Sequence, residues 1–578
     1  MFVKFISVVM SVVMTVSSFV FSSVSNIADA ISEMLFGIPY TQEAVDSDFF
    51  SDIDASDIVL IDENSGFIRD KIIVFIDSQA EFSDKIDFFA NCGGILAGWC
   101  TPSDIYVISY PAMSYEQVLS KCQKLSENEI VELSIPVMTF KNETNATPND
   151  VFDTSEELVW DEIKPGGSNW HLEAIDARQA WDYSKYFSNI NIGIVDAGFE
   201  TEHPDLSGKI NFPDSKQEKR NVATSHGSHV AGIIGANQNN AVGISGICNN
   251  SKLICIDWQP DFLQLWSTDI AIFFGFSTLV KAGAKVVNFS LGTSGSKTDN
   301  NSSFMERVIV TAATSYMMAS LLSKGYDFIA VQSAGNGDMF GDPIDAINNG
   351  RFCALTEDNI FTGSKKVSSS EILDRIIVVG SADNNGDGTY RQSEFSNVGS
   401  QVSIAAPGGN IYSCSLDNGY EYMSGTSMAA PIVTGVASLV WSVNPSFTGA
   451  DVKDIVCSST DSVASINNDA FYYYDVELAD YPMVNAKLAV EEAIRRTHSS
   501  VGTVSGKITG DNAETISFNG VSHTLFSDGT YSFVADAGSA VAEIYDKDGN
   551  LLGSFDLTVT AGETTLAEEF IIGNMAEA

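Results

Sequence analysis

Ser424-Gly425-Thr426-Ser427-Met428-Ala429-Ala430-Pro431 leads directly into the apolar run Ile432 to Trp441. Such a run reads as a buried helix, and it places Ser427 at the helix mouth between small residues. Gly425 and Ala429 leave room for a substrate backbone, and the N–H groups of a helix's first turn face the place where negative charge would form. A serine ahead of a helix is also an ordinary N-cap. Two other segments separate these readings.

Ile192-Gly193-Ile194-Val195-Asp196-Ala197-Gly198 is a β-branched strand that ends on a carboxylate and a glycine turn. Parallel strands of α/β folds run almost continuously apolar, and their ligand chemistry lies beyond their carboxyl ends. Taken alone, the same aspartate also reads as a turn residue or helix cap. His226-Gly227-Ser228-His229-Val230-Ala231-Gly232-Ile233-Ile234-Gly235 places a histidine at the start of a small-residue helix suited to close packing. The His226/His229 spacing raises a metal reading, but no Cys, Asp or Glu follows at ligand spacing in that helix.

In chain order Asp, His, Ser, the three segments resemble the subtilisin family of serine endopeptidases. A fourth segment, Gln332-Ser333-Ala334-Gly335-Asn336-Gly337 after the strand Phe328 to Val331, resembles the family's oxyanion segment. The resemblance implies an α/β catalytic domain on a parallel sheet, with Asp196, His226 and Ser427 as the triad and Asn336 as oxyanion donor. His229 is then a structural neighbour. A serine hydroxyl is a poor nucleophile at neutral pH, so an adjacent imidazole must take its proton while a carboxylate orients that ring. The family usually carries Thr or Ser after the aspartate. Here Ala197 stands there, and a hydroxyl that would support the carboxylate is missing.

Lys285-Val286-Val287-Asn288-Phe289-Ser290-Leu291-Gly292 resembles the family segment that pairs with substrate as an added β-strand. It also reads as a central buried strand, and the two are compatible. Ser290, Leu291 and Gly292 are expected to form one wall of the groove, with Ala334 and Gly335 beside the first pocket. The floor of that pocket is not legible, because residues 338 to 375 replace a short family loop. The chemistry itself requires no cofactor. His203-Pro204-Asp205-Leu206 and Gln238 to Ile244 match the family's calcium site, which implies Asp205 and Asn240 as side-chain ligands beside loop carbonyls. The acidic turn Asp383 to Gly388 lacks the distal Glu of a calcium loop and reads as a hairpin turn.

Composition agrees with this reading without generating it. The 578 residues suffice for several domains and a large core. Thirty-one Lys and Arg against 75 Asp and Glu give a formal charge of −44, which repels nucleic acid and anionic membranes. The resemblance implies protein or peptide substrates and the chain's own propeptide as partners, and no nucleic acid. Residues 1–30 combine Lys4, an apolar stretch and small-x-small sites, as in a secretory signal peptide. A retained anchor is the alternative; otherwise the product is secreted, extracellular and without stable membrane insertion. The eight cysteines read as buried thiols, with Cys92–Cys100 or Cys248–Cys255 disulfides open in an oxidising compartment.

Residues 66–140 form a compact α+β unit. Ile72 to Ile76 and Asp104 to Ile108 read as strands and Phe82 to Ala90 as a helix. Ser114 to Gln117 opens a second helix with a capping box, and Glu129 to Ile135 closes the unit. Its βαββαβ order before a protease resembles the family's inhibitory propeptide; a small independent domain of similar topology is the alternative. Residues 141–167 read as a processing linker, 168–500 as the catalytic domain and 501–578 as a small all-β, sandwich-like domain. In that last unit Val504, Ile508, Tyr531, Phe533, Ile544 and Phe555 are expected to face inward. Two further readings stay open, a processing protease for one precursor and an inactive binding protein on the same fold.

Overall fold

The computed structural model describes residues 49–50, 55–61, 65–141, 169–213, 224–240, 242–257, 266–292, 301–337, 343–466, 479–510 and 512–572. The expected signal peptide and all of the expected linker beyond Lys141 lie outside them.

A ten-stranded sheet carries the middle of the chain. Its central strands are parallel and lie in the order Ile376–Asn384, Ile329–Ser333, Val286–Phe289, Ile190–Asp196 and Ser251–Asp257. From Ile190–Asp196 the chain first builds outward on one side and then, from Val286, on the other. The carboxyl end of Ile190–Asp196 is therefore the point where strand order reverses, and open α/β sheets form their ligand crevices there.

These strands are apolar on both faces because both are covered. Ile192 and Ile194 pack with the helices His226–Gly235 and Thr426–Val443, while Val195, Val287 and Phe289 share a second core with Asp269–Lys281 and Asn301–Ser323. Thr426–Val443 is apolar and long enough to cross a membrane, yet all of it is buried in the protein. The small residues of His226–Gly235 permit close packing: a Cβ on Gly232 would lie 2.3 Å from Ser413 Oγ. None of the eight cysteines, seven of them buried, is joined in a disulfide, the pairs Cys92–Cys100 and Cys248–Cys255 included. Burial pushes the Cys248 and Cys353 thiols up to about 12.

The N-terminal unit is an antiparallel sheet whose strands Ile95–Cys100, Ile105–Ser109, Ser65–Ile76 and Val131–Lys141 lie in that order. Phe82–Asn91 and Tyr115–Leu125 are its helices, the second opened by a reciprocal Ser114/Gln117 capping box. The unit shares a hydrophobic core with Asp269–Lys281 and Asn301–Ser323, with Phe75 and Tyr316 ring centroids 5.0 Å apart. Charge ties the same contact. Asp104 accepts from Ser320 Oγ at 2.6 Å and Lys324 Nζ at 2.7 Å, and Lys365 Nζ lies 3.5 Å from both Asp104 and Glu132. Beyond this core, Trp266–Thr268 pairs antiparallel with the end of Val131–Lys141, Trp266 opposite Lys141 and Thr268 opposite Thr139.

The C-terminal residues form two four-stranded sheets, one around Val501–Thr509 and Thr530–Asp536 and the other around Gly538–Tyr545 and Leu551–Val559. Val504, Ile508, Tyr531, Phe533 and Ile544 are buried between them as expected from their alternation. Phe555 is the exception. It shares the inward face of its strand with Leu557 and Val559 and packs against the same core, but is only half-buried, beside the Phe570 ring. Tyr183 joins the parts, its hydroxyl donating to Glu491 Oε1 at 2.6 Å and accepting from Val534 N–H at 2.8 Å.

Phe276 tests the second core. It is fully buried, with ring centroids 5.4 Å from Phe328 and 5.2 Å from Phe352. Phe276→Ala should destabilise by about 3–5 kcal/mol, read as a lower guanidinium midpoint at unchanged slope.

Candidate active site

The Ile190–Asp196 strand delivers Asp196, which is only 1% exposed, to the switch point. Its Oδ1 accepts from His226 Nδ1 at 2.6 Å and from the Ala197 N–H at 2.7 Å. The turn after the strand also seats the histidine's helix: Gly227 N–H donates to Ala197 O at 2.7 Å and Ser228 N–H to Gly198 O at 2.9 Å. First-turn donors that would otherwise be orphaned are thus capped by the aspartate's own turn. Asp196 Oδ2 has no hydrogen-bond partner among the described residues, in line with the methyl side chain at Ala197.

Burial alone would depress the His226 pKa, but the charge of Asp196 and their hydrogen bond outweigh it and hold the imidazole above its ordinary 6.5. The Nδ1 bond to a carboxylate places the ring proton on Nδ1 and leaves Nε2 as the acceptor. His229 behaves differently. Burial, aided by the nearby His226, pulls it down to about 3, and its Nε2 bonds the Ile411 and Glu421 carbonyls at 3.0 and 3.2 Å. It is a neutral strut for the strand Ile411–Cys414.

Register places the serine beside this pair. Val195 lies opposite Phe289, so Asp196 and Ser290 continue adjacent strands. Ser290 meets Ser427 twice, its carbonyl accepting from Ser427 Oγ at 3.2 Å and its hydroxyl donating to Ser427 O at 2.8 Å. The second bond answers a defect in the helix. Pro431 has no N–H to offer the carbonyl four residues back, and Ser290 supplies the donor. Among the described residues Ser427 Oγ makes no hydrogen bond to His226, a common state for a site without substrate.

Asn336 follows the strand Ile329–Ser333. Its Oδ1 accepts from both the N–H and the hydroxyl of Thr426, each at 2.8 Å. This fixes the sense of the carboxamide, with oxygen toward Thr426 and nitrogen on the opposite branch. Asn336, Thr426 and Ser427 line one concavity with Leu291, Gly292, Ser333, Gly335, Gly337 and Asn349. Of the expected groove residues, Leu291, Gly292 and Gly335 line it. Ser290 stands behind Ser427. Ala334, just past the strand end, is fully buried, its carbonyl held by Asn397 Nδ2 at 2.9 Å. The sequence offered no signal for Asn349, which comes from the segment after Gly337.

The Asp205 region does not fit a calcium ion as it is arranged. Asp205 Oδ1 accepts from Asn240 Nδ2 at 2.7 Å, and Oδ2 accepts from Ile244 N–H at 2.6 Å and Tyr420 Oη at 2.9 Å. These uncharged donors leave the carboxylate's charge in place but occupy acceptor positions that a hard cation would use. Asn240 turns its amide nitrogen, not its oxygen, toward that space. No group of three or more His, Cys, Asp or Glu side chains suited to a metal occurs among the described residues.

A carboxylate-paired imidazole and a hydroxyl at a helix mouth, flanking one strand end beside a fixed carboxamide, define the class of serine hydrolases. A family model for the subtilases matches residues 188–477, half of the chain, and the chain belongs to the subtilase family. It is a serine-type endopeptidase. It is 27% identical over 427 residues to a "Thermophilic serine proteinase" of Bacillus sp. (strain AK1), covering 73% of this chain and 89% of that relative. Thermitase of Thermoactinomyces vulgaris is 29% identical over 322 residues, 55% of this chain and 93% of that relative. The crystal structure of fervidolysin from Fervidobacterium pennivorans, described as a keratinolytic enzyme related to subtilisin, matches with TM-score 0.51 and 18% identity, covering 90% of this chain and 81% of that one. At that identity the likeness is one of fold.

Ser290→Ala would strand the buried Ser427 carbonyl and should cost about 1–3 kcal/mol of stability. Thermal unfolding of the variant against Ser290→Thr, which keeps the donor, measures it.

Proposed function

We propose that Ser427 is the nucleophile, His226 the general base and acid, Asp196 the group that orients and stabilises the imidazolium, and Asn336 an oxyanion donor. The observation that carries this reading is the buried 2.6 Å Asp196–His226 pair on the strand adjoining the one whose extension grips Ser427.

In the reaction, Ser427 Oγ turns from the Ser290 carbonyl to His226 Nε2 and attacks the substrate carbonyl carbon. The hydroxyl proton passes to Nε2 as the C–O bond forms. Asp196 keeps its charge and holds the proton on Nδ1. The carbonyl oxygen becomes an oxyanion, met by the Ser427 N–H at the helix mouth and by the Asn336 Nδ2 branch. Collapse expels the amine, which takes the proton from His226, and water repeats the sequence on the acyl-enzyme. An extended substrate adds its backbone to Ser290–Gly292.

We further infer a secreted zymogen with an inhibitory N-terminal unit. The support is the run of Val131–Lys141 beside Trp266–Thr268, whose backbone groups suit an added strand. That unit leaves the catalytic part through residues 142–168, where a self-cleavage would separate the two.

Three measurements test the assignment. A fluorophosphonate should label Ser427 in the wild type and fail on Ser427→Ala, which should also retain an uncut N-terminal unit when purified without other proteases. Asn336→Ala should lower kcat by about 10²–10³, a scale that belongs to subtilisin itself, with KM little changed. Because His226 must be neutral to act and its pKa is raised, kcat/KM should fall on acidification with a midpoint above pH 6.5. A midpoint below that value would contradict the coupling to Asp196.

A further inference from the structure

The concavity that holds Ser427 and Asn336 is lined by a side chain from the segment after Gly337. Asn349 ends the 3₁₀ turn Ala346–Asn349, is 3% exposed and lines this concavity. A Cβ built on Gly292 would lie 1.7 Å from Asn349 Oδ1 and 2.3 Å from Cγ; one built on Gly335 would lie 2.9 Å from Cγ and 3.0 Å from Oδ1. The carboxamide therefore lies between the two glycines, in the slot formed by Leu291-Gly292 on one side and Gly335-Asn336-Gly337 on the other.

Its orientation is set by chemistry. Asn349 Nδ2 donates to the Ser333 carbonyl at 2.8 Å, so Oδ1 is the branch left on the glycine side. The turn that carries it is pinned to the sheet. Ala346 N–H donates to Val398 O at 2.7 Å, and Asn397 Oδ1 accepts from both Gly337 and Ile344 N–H at 3.0 Å. Gln332 bridges Cys353 N–H at 3.3 Å to the Leu291 carbonyl at 3.2 Å, which ties this segment to the wall of the slot. Moving Asn349 aside would break its bond to a buried carbonyl and disturb both walls.

On the reading that Ser427 attacks the substrate, the side chain of the residue whose carbonyl is attacked enters this slot. We propose that Asn349 is the specificity-determining residue of the slot and restricts it to small side chains such as those of glycine, alanine and serine. Aromatic and long aliphatic side chains meet the carboxamide within the first atoms beyond Cβ. One or two methylenes in such a pocket change kcat/KM by about 10–200-fold, so the discrimination is large enough to measure.

The test uses peptide p-nitroanilides identical except for the residue before the scissile bond, with enzyme produced from the full chain and titrated by fluorophosphonate. In the wild type, alanine and serine should exceed phenylalanine and leucine by at least about tenfold in kcat/KM. In Asn349→Ser, which keeps a donor for Ser333 O, and in Asn349→Gly, the phenylalanine-to-alanine ratio should rise by about tenfold or more. Equal or better use of phenylalanine by the wild type overturns the inference, whether or not the variants fold. So does an unchanged ratio in a variant that labels fully. Absence of both labelling and cleavage in the wild type instead overturns the assignment of Ser427 on which the inference rests.

Discussion

A carboxylate withdrawn from water must recover its lost hydration from the protein, and Asp196 recovers it through a single oxygen. Oδ1 takes the His226 Nδ1–H and the Ala197 N–H, while Oδ2 has no partner among the described residues. Satisfying that one oxygen decides much of the local architecture. The chain must turn at Ala197-Gly198, the turn's carbonyls cap the helix that begins at His226, and the helix brings the imidazole back to the carboxylate. Strand, turn, helix and ring form a closed loop of mutual requirements. The raised pKa of His226 is its electrostatic signature.

The serine is held by the same economy of backbone groups. A helix mouth leaves N–H donors without intrahelical acceptors, and Pro431 leaves the Ser427 carbonyl without a donor. Asn336 Oδ1 receives the Thr426 N–H, and the Ser290 hydroxyl reaches the Ser427 carbonyl. Each of these helix-completing groups is also a wall of the concavity or a neighbour of the nucleophile. Precision at Ser427 follows from hydrogen bonds that the helix needs in any case, so no separate scaffold has to hold the residue in place.

Much of this was legible because it is local. Ser427 before an apolar run, Asp196 at the end of a β-branched strand, His226 opening a small-residue helix and the Ser114/Gln117 box all announce themselves within ten residues. Ala197 likewise foretold the bare carboxylate oxygen. What escaped was set by distant partners. The strand Ile95–Cys100 reads weakly because Gly98 and Trp99 interrupt its pattern, and its pairing with Ile105–Ser109 defines it. Phe555 fits the alternation of its strand and packs against the core, yet it stays half-buried beside Phe570 while Leu557 is buried. Asn349 lies in a segment without periodicity, and only its fit between Gly292 and Gly335 gives it meaning. Asp205 and Asn240 match a motif, but the hydroxyl of Tyr420, 215 residues beyond Asp205, occupies one of the carboxylate's acceptor sites.

The helices under the sheet connect the N-terminal unit to these constraints. Residues 272–280 of Asp269–Lys281 are buried but for one half-buried position, and a helix that is apolar all round needs cover on every side. The sheet covers one side through Val287 and Phe289, and the N-terminal unit belongs to the same continuous core on the other. Within that contact lie charges, Asp104 and Glu132 against Lys324 and Lys365, whose partners come from opposite sides. Within the joined bodies, replacing one partner by an apolar residue would leave Asp104 or Lys365 poorly compensated at a mostly buried position, a larger loss than that of an exposed pair. Cutting the connecting segment would remove a tether and none of these contacts. On the proposed zymogen reading, a cut in the connecting segment leaves this shared core and its ion pairs in place, so the N-terminal unit would stay bound until that interface is lost.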